Sequence, residues 1–301
     1  MKKTLILFFL LATANFTNAQ RYNLGFGIRA GASNFLGDIG SGDLARGFVY
    51  NMELRDTRWA GGLFSRYRFH PIFAVQGSFD YCRIQGMDSN SDNRARRGRN
   101  LEFFNDVFHL NGKFEVYPQI LSVSDVGYRG RYRTDYQTYF FAGLGGIFHN
   151  PKTNYNGQKV KLRPLMTEGV NYSRIVLTVP FGGGFFFTHK KIHRFGFEYA
   201  WNWTFTDYLD DISTQYADPA SMSSDPLAAE VANRWIGVGD VPGEIQYGPG
   251  SPRGDPTDRD NFMTVTISYS YLIRTRGSFY RQNYSWMYGR KRRWGGTKAK
   301  F

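Results

Sequence analysis

The chain has 301 residues, one of them a cysteine, so an internal disulfide framework is excluded. Its mean hydropathy is -0.45 even though 18% of the residues are aromatic. The net charge of +13 is concentrated at the ends: Lys2 and Lys3, with nine Arg or Lys and no acid between Arg274 and Phe301, leave only +2 for the body.

The first twenty residues, MKKTLILFFLLATANFTNAQ, place two lysines before an apolar run from Leu5 to Ala12 and then small residues. That is the pattern of a secretory signal peptide cleaved after Ala19. The apolar run is too short to cross a bilayer, and no later run reaches the roughly 18 apolar residues of a membrane helix. An exported chain of this kind is either a secreted soluble protein or an outer-membrane barrel. Cys82 is expected to be a small packed residue.

Eight segments alternate with the strand period of two. Tyr22 to Phe35 sets Leu24, Phe26, Ile28 and Ala30 against Gly25, Gly27, Arg29 and Gly31. Leu63 to Phe69 opposes Leu63, Tyr67 and Phe69 to Phe64, Arg66 and Arg68. Phe73 to Ile84 opposes Val75, Phe79 and Tyr81 to Gln76, Ser78 and Asp80. Val107 to Tyr117 opposes Phe108, Leu110, Phe114 and Val116 to His109, Asn111, Lys113 and Glu115. Thr138 to Phe148 is apolar on both faces and glycine-rich. Arg174 to Phe187 contains Pro180 and three successive glycines, which predict a bend or bulge. From His193 onward, Phe195, Phe197, Tyr199, Trp201, Trp203 and Phe205 share one face, with Glu198 on the other. Phe262 to Leu272 sets Met263, Val265, Ile267, Tyr269 and Tyr271 against serines and threonines.

Segments of this length match strands that cross a bilayer at a tilt rather than the shorter strands of globular sheets. The links alternate as well. His70-Pro71-Ile72 and His189 to Lys191 are short, whereas Leu36–Gly62, Gly86–Asp106, Asn150–Ser173 and Thr206–Asn261 are long. Short periplasmic turns and long external loops characterise outer-membrane barrels, and an even strand number puts both termini in the periplasm. One periplasmic link, Pro118 to Gln137, is longer than the pattern requires. The fold class is therefore all-β: an eight-stranded antiparallel transmembrane β-barrel with long external loops and a basic periplasmic C-terminal tail. Residues 1–19 form the signal peptide, 20–273 the barrel and 274–301 the tail.

Eight charged or polar residues are assigned to the interior: Arg29, Arg66, Arg68, Asp80, His109, Lys113, Glu115 and Glu198. An eight-stranded barrel is only wide enough to be filled by side chains, so these form a salt-bridged network rather than an open pore. No Ser or Cys stands in nucleophile spacing to His109 or His149, so catalysis is not expected, nor is a cofactor or metal. The glycine runs precede no helix and are not phosphate loops. TDYLDD (Thr206 to Asp211) lacks calcium-loop spacing, and capping or rim hydrogen bonding is the expected role of its acids. Asp225 and Pro226 open a short helix running to Trp235. Arg94, Arg96, Arg97 and Arg99 share one external loop and are candidates for lipopolysaccharide phosphates.

The tail mixes Arg with aromatic residues, the composition of binding hot spots. Arg274, Arg276, Arg281, Trp286, Arg290, Lys291, Arg292, Arg293 and Trp294 are the candidates for docking a periplasmic protein. Nucleic acid is excluded by the compartment.

Three segments carry a family resemblance: GASNFLGDIG (Gly31 to Gly40), LRPLMTEGVNYSR (Leu162 to Arg174) and TDYLDDIS (Thr206 to Ser213). With the leader and eight strands, the chain resembles the PorG-type outer-membrane barrels of the type IX secretion and gliding machinery. The resemblance implies a non-enzymatic role, tethering or orienting a periplasmic ring of the PorK/PorN (GldK/GldN) type. The alternatives are a structural barrel with another periplasmic partner and a lipid A-modifying barrel enzyme, which would require an inward His beside Ser or Glu at the external rim.

Overall fold

The computed structural model describes residues 24–39, 54–70, 72–91, 94–126, 134–190, 192–236 and 248–273. The expected leader, the first two residues of the first expected strand, and the expected tail lie outside them. Eleven strands follow in chain order: β1 (Leu24–Leu36), β2 (Arg58–Arg68), β3 (Phe73–Met87), β4 (Glu102–Val116), β5 (Ser122–Val126), β6 (Thr134–Phe148), β7 (Pro151–Tyr155), β8 (Gln158–Lys161), β9 (Ile175–His189), β10 (His193–Thr204) and β11 (Asn261–Ile273). Two short helices, α1 (Arg94–Arg99) and α2 (Leu227–Ala232), lie in the long loops.

Eight strands close on themselves in the order β6-β9-β10-β11-β1-β2-β3-β4, with β4 pairing back to β6 from Phe108↔Phe148 to Val116↔Phe140. Every pairing is antiparallel, and closure leaves no unpaired edge among these eight. Leu24 pairs with Ile273, so both described ends of the barrel lie at the end carrying the short turns.

The expected faces are realised. Phe26, Ile28, Leu63, Phe79, Leu110, Leu144, Phe195 and Ile267 point outward and are exposed, while Arg29, Phe64, Arg66, Gln76, His109, Lys113 and Glu198 are buried inside. Of the six aromatics of β10 and its continuation, Phe195, Phe197, Trp203 and Phe205 are exposed, and Tyr199 and Trp201 are half-buried on the same face. Met263 has the outward parity but is covered, and the Tyr199 hydroxyl donates to its sulfur at 3.8 Å.

Three local features differ from the sequence expectation. The β6–β9 register is the same on both sides of Pro180, from Ala142↔Phe181 to Gly145↔Thr178, so there is no bulge. The ladder simply skips the rungs where proline has no N–H to donate. The neighbouring glycines serve packing: a Cβ at Gly182 would lie 2.1 Å from Tyr199 O, and one at Gly184 2.8 Å from the Tyr139 hydroxyl. The long turn-side link contains β5, which adds to the start of β6. The Asn150–Ser173 loop contains the hairpin β7–β8, closed by Asn156 and Gly157 at φ 47° and 77°, and β7 extends the wall along β4.

Candidate functional site: the filled lumen and the loop cap

All eight residues assigned to the interior point into it, and they form one connected network. At mid-height, Arg29 bridges Asp80 (3.0 Å) and Glu198 (2.6 Å). Lys113 donates to the same Glu198 oxygen at 2.7 Å, and the Tyr139 hydroxyl donates to the other at 2.8 Å. One turn-side layer below, Arg66 pairs with Glu115 at 2.8 Å, Tyr117 also donates to Glu115, and Arg68 donates to Gln137 Oε1 at 2.6 Å. Aromatic rings seal this layer: Tyr117, Tyr139, Phe141 and Phe186 are buried together. Arg194, not anticipated from the sequence, stacks over the Phe186 ring at 3.9 Å. Its even-numbered place on β10, in phase with Glu198, was the available signal. Above the mid-height layer His109 sits 2.9 Å from the Thr178 hydroxyl and 3.3 Å from Asn111 Nδ2. A gap lined by Arg29, Asp80, His109 and Lys113 has a volume of about 20 Å³, room for a single water. His109 therefore lies deep in a packed lumen, beneath the rim rather than at it.

The far end is closed by the long loops. Inward residues at the strand tops (Phe35, Ile84, Phe103, Val107, Ile147, Phe262) share a buried apolar core with loop residues Leu162, Leu165, Leu209, Ile212, Ala228 and Val231. α2 contributes two of these; Asp225 Oδ1 accepts from Leu227 N at 3.0 Å at its start, as the sequence indicated, but the helix ends at Ala232, short of Trp235.

Over this core the three motif segments meet. Glu168 accepts from the backbone N of Ser213 and Thr214 at 3.1 and 3.0 Å. Asp211, at φ 72°, accepts from Thr167 Oγ1 at 2.5 Å and from the Tyr172 hydroxyl at 2.6 Å. Arg253 ties both segments with bonds to Glu168 (3.1 Å), Thr167 (3.0 Å) and the Asp211 carbonyl (2.8 Å). From the first motif, the Asp38 carbonyl accepts from Arg99 at 2.9 Å, and its carboxylate accepts from Asp255 N at 3.0 Å. Arg99 also holds Asp88 through two bonds of 2.7 and 2.9 Å. It is thus a buried strut of the cap, not a solvent-facing phosphate ligand, whereas Arg97 is exposed.

The cap concentrates acid. Burial, then mutual repulsion among Asp38, Asp207, Asp210 and Asp260, raises the pKa of Asp210 and Asp260 well above the carboxylate range. Burial likewise raises Asp207 to about 7, and Asp211 to about 6 despite Arg253. Among the described residues no group of three or more His, Cys, Asp or Glu is placed to hold a metal. His149 is buried with its pKa lowered to about 4, accommodated by the Ser173 carbonyl at 3.0 Å and stacked on Tyr172. The tail candidates Arg274, Arg276, Arg281, Trp286, Arg290, Lys291, Arg292, Arg293 and Trp294 lie outside the described residues.

A closed barrel with an apolar, aromatic exterior, a polar interior packed solid and folded loops over one mouth is the construction of a small outer-membrane β-barrel. Within that class, residues 2–229 match the model of the family described as a domain of unknown function, DUF6089, and the chain belongs to that family. Among solved structures it is similar to Ail, the attachment invasion locus protein of Yersinia pestis, alone (TM-score 0.36) and in complex with the heparin analogue sucrose octasulfate (0.35). In both, identity is 11%, and the match covers 84% of this chain and 100% of that one. A likeness at this level carries no function across; the barrel rests on its own hydrogen-bond ladder. Comparison with curated protein sequences gives no match.

Proposed function

We propose that the protein is a non-enzymatic outer-membrane component of type IX protein secretion. In this reading it tethers or orients a periplasmic ring of lipoprotein and partner subunits of the PorK/PorN (GldK/GldN) type. The loops face outward and both termini face the periplasm. The observation that supports this best is the meeting of the three motif segments in one buried network, the second and third through Glu168, Asp211 and Arg253 and the first through Arg99, which donates to the carbonyls of Asp38 and Arg253. The segments that carry the PorG-type resemblance are thereby parts of one structural device. With the lumen packed and its histidine shut in, the barrel's contacts are left to its two mouths, its wall and the basic tail. The resemblance supplies the partner.

The test is a gentle detergent pull-down from native membranes, read by mass spectrometry, with the full chain and with a chain ending at Ile273. Ring lipoproteins should copurify with the full chain and be lost from the shortened one. A correctly inserted full-length barrel that brings down no ring component would overturn the secretion role.

A further inference from the structure

The outer face of the wall carries a cationic cluster at the loop end that the ring-tether reading does not use. Arg83 on β3 and Phe104 and Asp106 on β4 have outward parity, and the hairpin β7–β8 continues that face beside them. Lys152 and Lys161 are direct cross-strand partners on the hairpin, and Lys159, opposite Asn154, shares their face. Like charges directly opposite one another are destabilising unless an anion lies between them. Three of these cations crowd one ring: Arg83, Lys152 and Lys159 lie 4.7, 5.9 and 5.8 Å from the centroid of Phe104. Among the described residues a single carboxylate, Asp106, serves the cluster, 3.5 Å from Arg83 and 3.0 Å from Lys152. Lys159 and Lys161 are exposed and pair with no carboxylate among the described residues.

The height of the cluster identifies its ligand. Immediately turn-side on the same face lies an aromatic group, Trp59 on Tyr81 at 4.7 Å and Tyr81 on Phe108 at 5.2 Å, and the Tyr81 hydroxyl donates to Asp106 at 2.7 Å. Outward aromatics of this kind mark the membrane–water interface. The cations stand further out on this face, Arg83 one step, Lys152 and Lys161 two and Lys159 three, with the Lys159 ammonium reaching back to the Phe104 ring; this is headgroup level, where Lys and Arg make charge-assisted bonds to phosphate.

We infer that Arg83, Lys152, Lys159 and Lys161 form a binding site for the phosphate of a membrane lipid in the loop-side leaflet, with Phe104 as its floor. With the loops outward, an orientation taken from the proposed function, that lipid is lipopolysaccharide. Phosphate neutralises the Lys152–Lys161 repulsion, and the acyl chains lie along the exposed Trp59 and Phe108.

The test uses the full chain in detergent and fluorescent bisphosphorylated lipid A. Lys152→Gln/Lys159→Gln/Lys161→Gln should weaken binding at least tenfold, and Lys190→Gln, at the opposite end of the barrel, should leave it within twofold. Fully dephosphorylated lipid A should bind wild type at least tenfold more weakly. Equal binding by the triple variant, equal binding of dephosphorylated lipid A, or displacement by equimolar inorganic phosphate would each overturn the site. The gel shift between folded and heat-unfolded barrel checks each variant. If the triple variant does not fold, Lys159→Gln alone should cost about threefold, and no change there overturns the proposal. Surface biotinylation of Asn156→Cys in intact cells checks orientation separately. A labelled hairpin is expected; an unlabelled one with lipid A binding intact would remove the outward orientation and the lipopolysaccharide assignment, but not the phosphate site.

Discussion

Glu198 is the hub of the lumen, and replacing it by Gln tests the energetics of the whole network. Its two oxygens take Arg29 at 2.6 Å, Lys113 at 2.7 Å and Tyr139 at 2.8 Å, and the side chain is 5% exposed. Without its charge, Arg29 keeps Asp80, but Lys113 has no other ion pair among the described residues. An uncompensated buried cation costs about 3–5 kcal/mol. At about 1.4 kcal/mol per decade, that raises the unfolded fraction by roughly two to three and a half orders of magnitude. Urea unfolding in detergent micelles, followed by tryptophan fluorescence and the folded-barrel gel shift, reads this directly. Adding Lys113→Met removes the stranded charge, so the double variant should recover at least about 1 kcal/mol of the loss. A loss below about 1 kcal/mol for Glu198→Gln, or strictly additive losses in the double variant, would refute the idea that the lumen is held by paired buried charge.

Three further outcomes follow from the geometry. Gly182→Ala drives a Cβ to within 2.1 Å of the Tyr199 carbonyl and should cost about 1–3 kcal/mol or block folding, whereas Gly112→Ala meets nothing within 4 Å and should be neutral within about 0.5 kcal/mol, both by urea unfolding. The cap carboxylates with raised pKa hold protons that their unfolded forms release from about pH 4 upward, so the cap loses stability as pH rises from about 4 through 7, the folded values of Asp211 and Asp207 being about 6 and 7. His149 acts oppositely, losing stability as pH falls from about 6.5 to its folded value of about 4, so the carboxylate window is best read in a His149→Asn background by hydrogen exchange over residues 205–215 at pH 5.5 and 8.0, with faster exchange expected at pH 8.0 beyond the intrinsic rate. Cys82, 2% exposed, should resist maleimide in the folded barrel and react fully once it is unfolded; labelling without unfolding would show that the lumen is open there.

The barrel was legible because its determinants are local. A period of two places Lys113 and Glu115 inward and Leu110 and Phe114 outward wherever the strand ends fall, and the chain closes only in the way that buries the first set. Boundaries were less legible: β2 begins at Arg58 and β4 at Glu102, ahead of the polar–apolar alternation, because loop residues cover the upper lumen and the inward positions there are apolar, as at Ala60, Phe103 and Val107. The β7–β8 hairpin does have a local signal, Asn156-Gly157 between alternating residues, set inside a long link. The cap had none. Arg253 joins Glu168 and Asp211 across 85 and 42 residues, and Arg99 reaches the Asp38 carbonyl across 61, so no spacing rule marks these partners. The arginine-rich sequence of α1 points to a phosphate-binding loop, yet Arg99 is buried because Asp88 satisfies it in the folded state.

A lumen packed with side chains beneath a folded cap makes this barrel a solid body with no passage along the described strands. Planar-bilayer recording of the purified full chain tests it most directly. A packed lumen and a folded cap predict insertion, verified by protease protection, with no resolvable conductance steps at any voltage the membrane tolerates. Discrete, reproducible steps from inserted protein would contradict it.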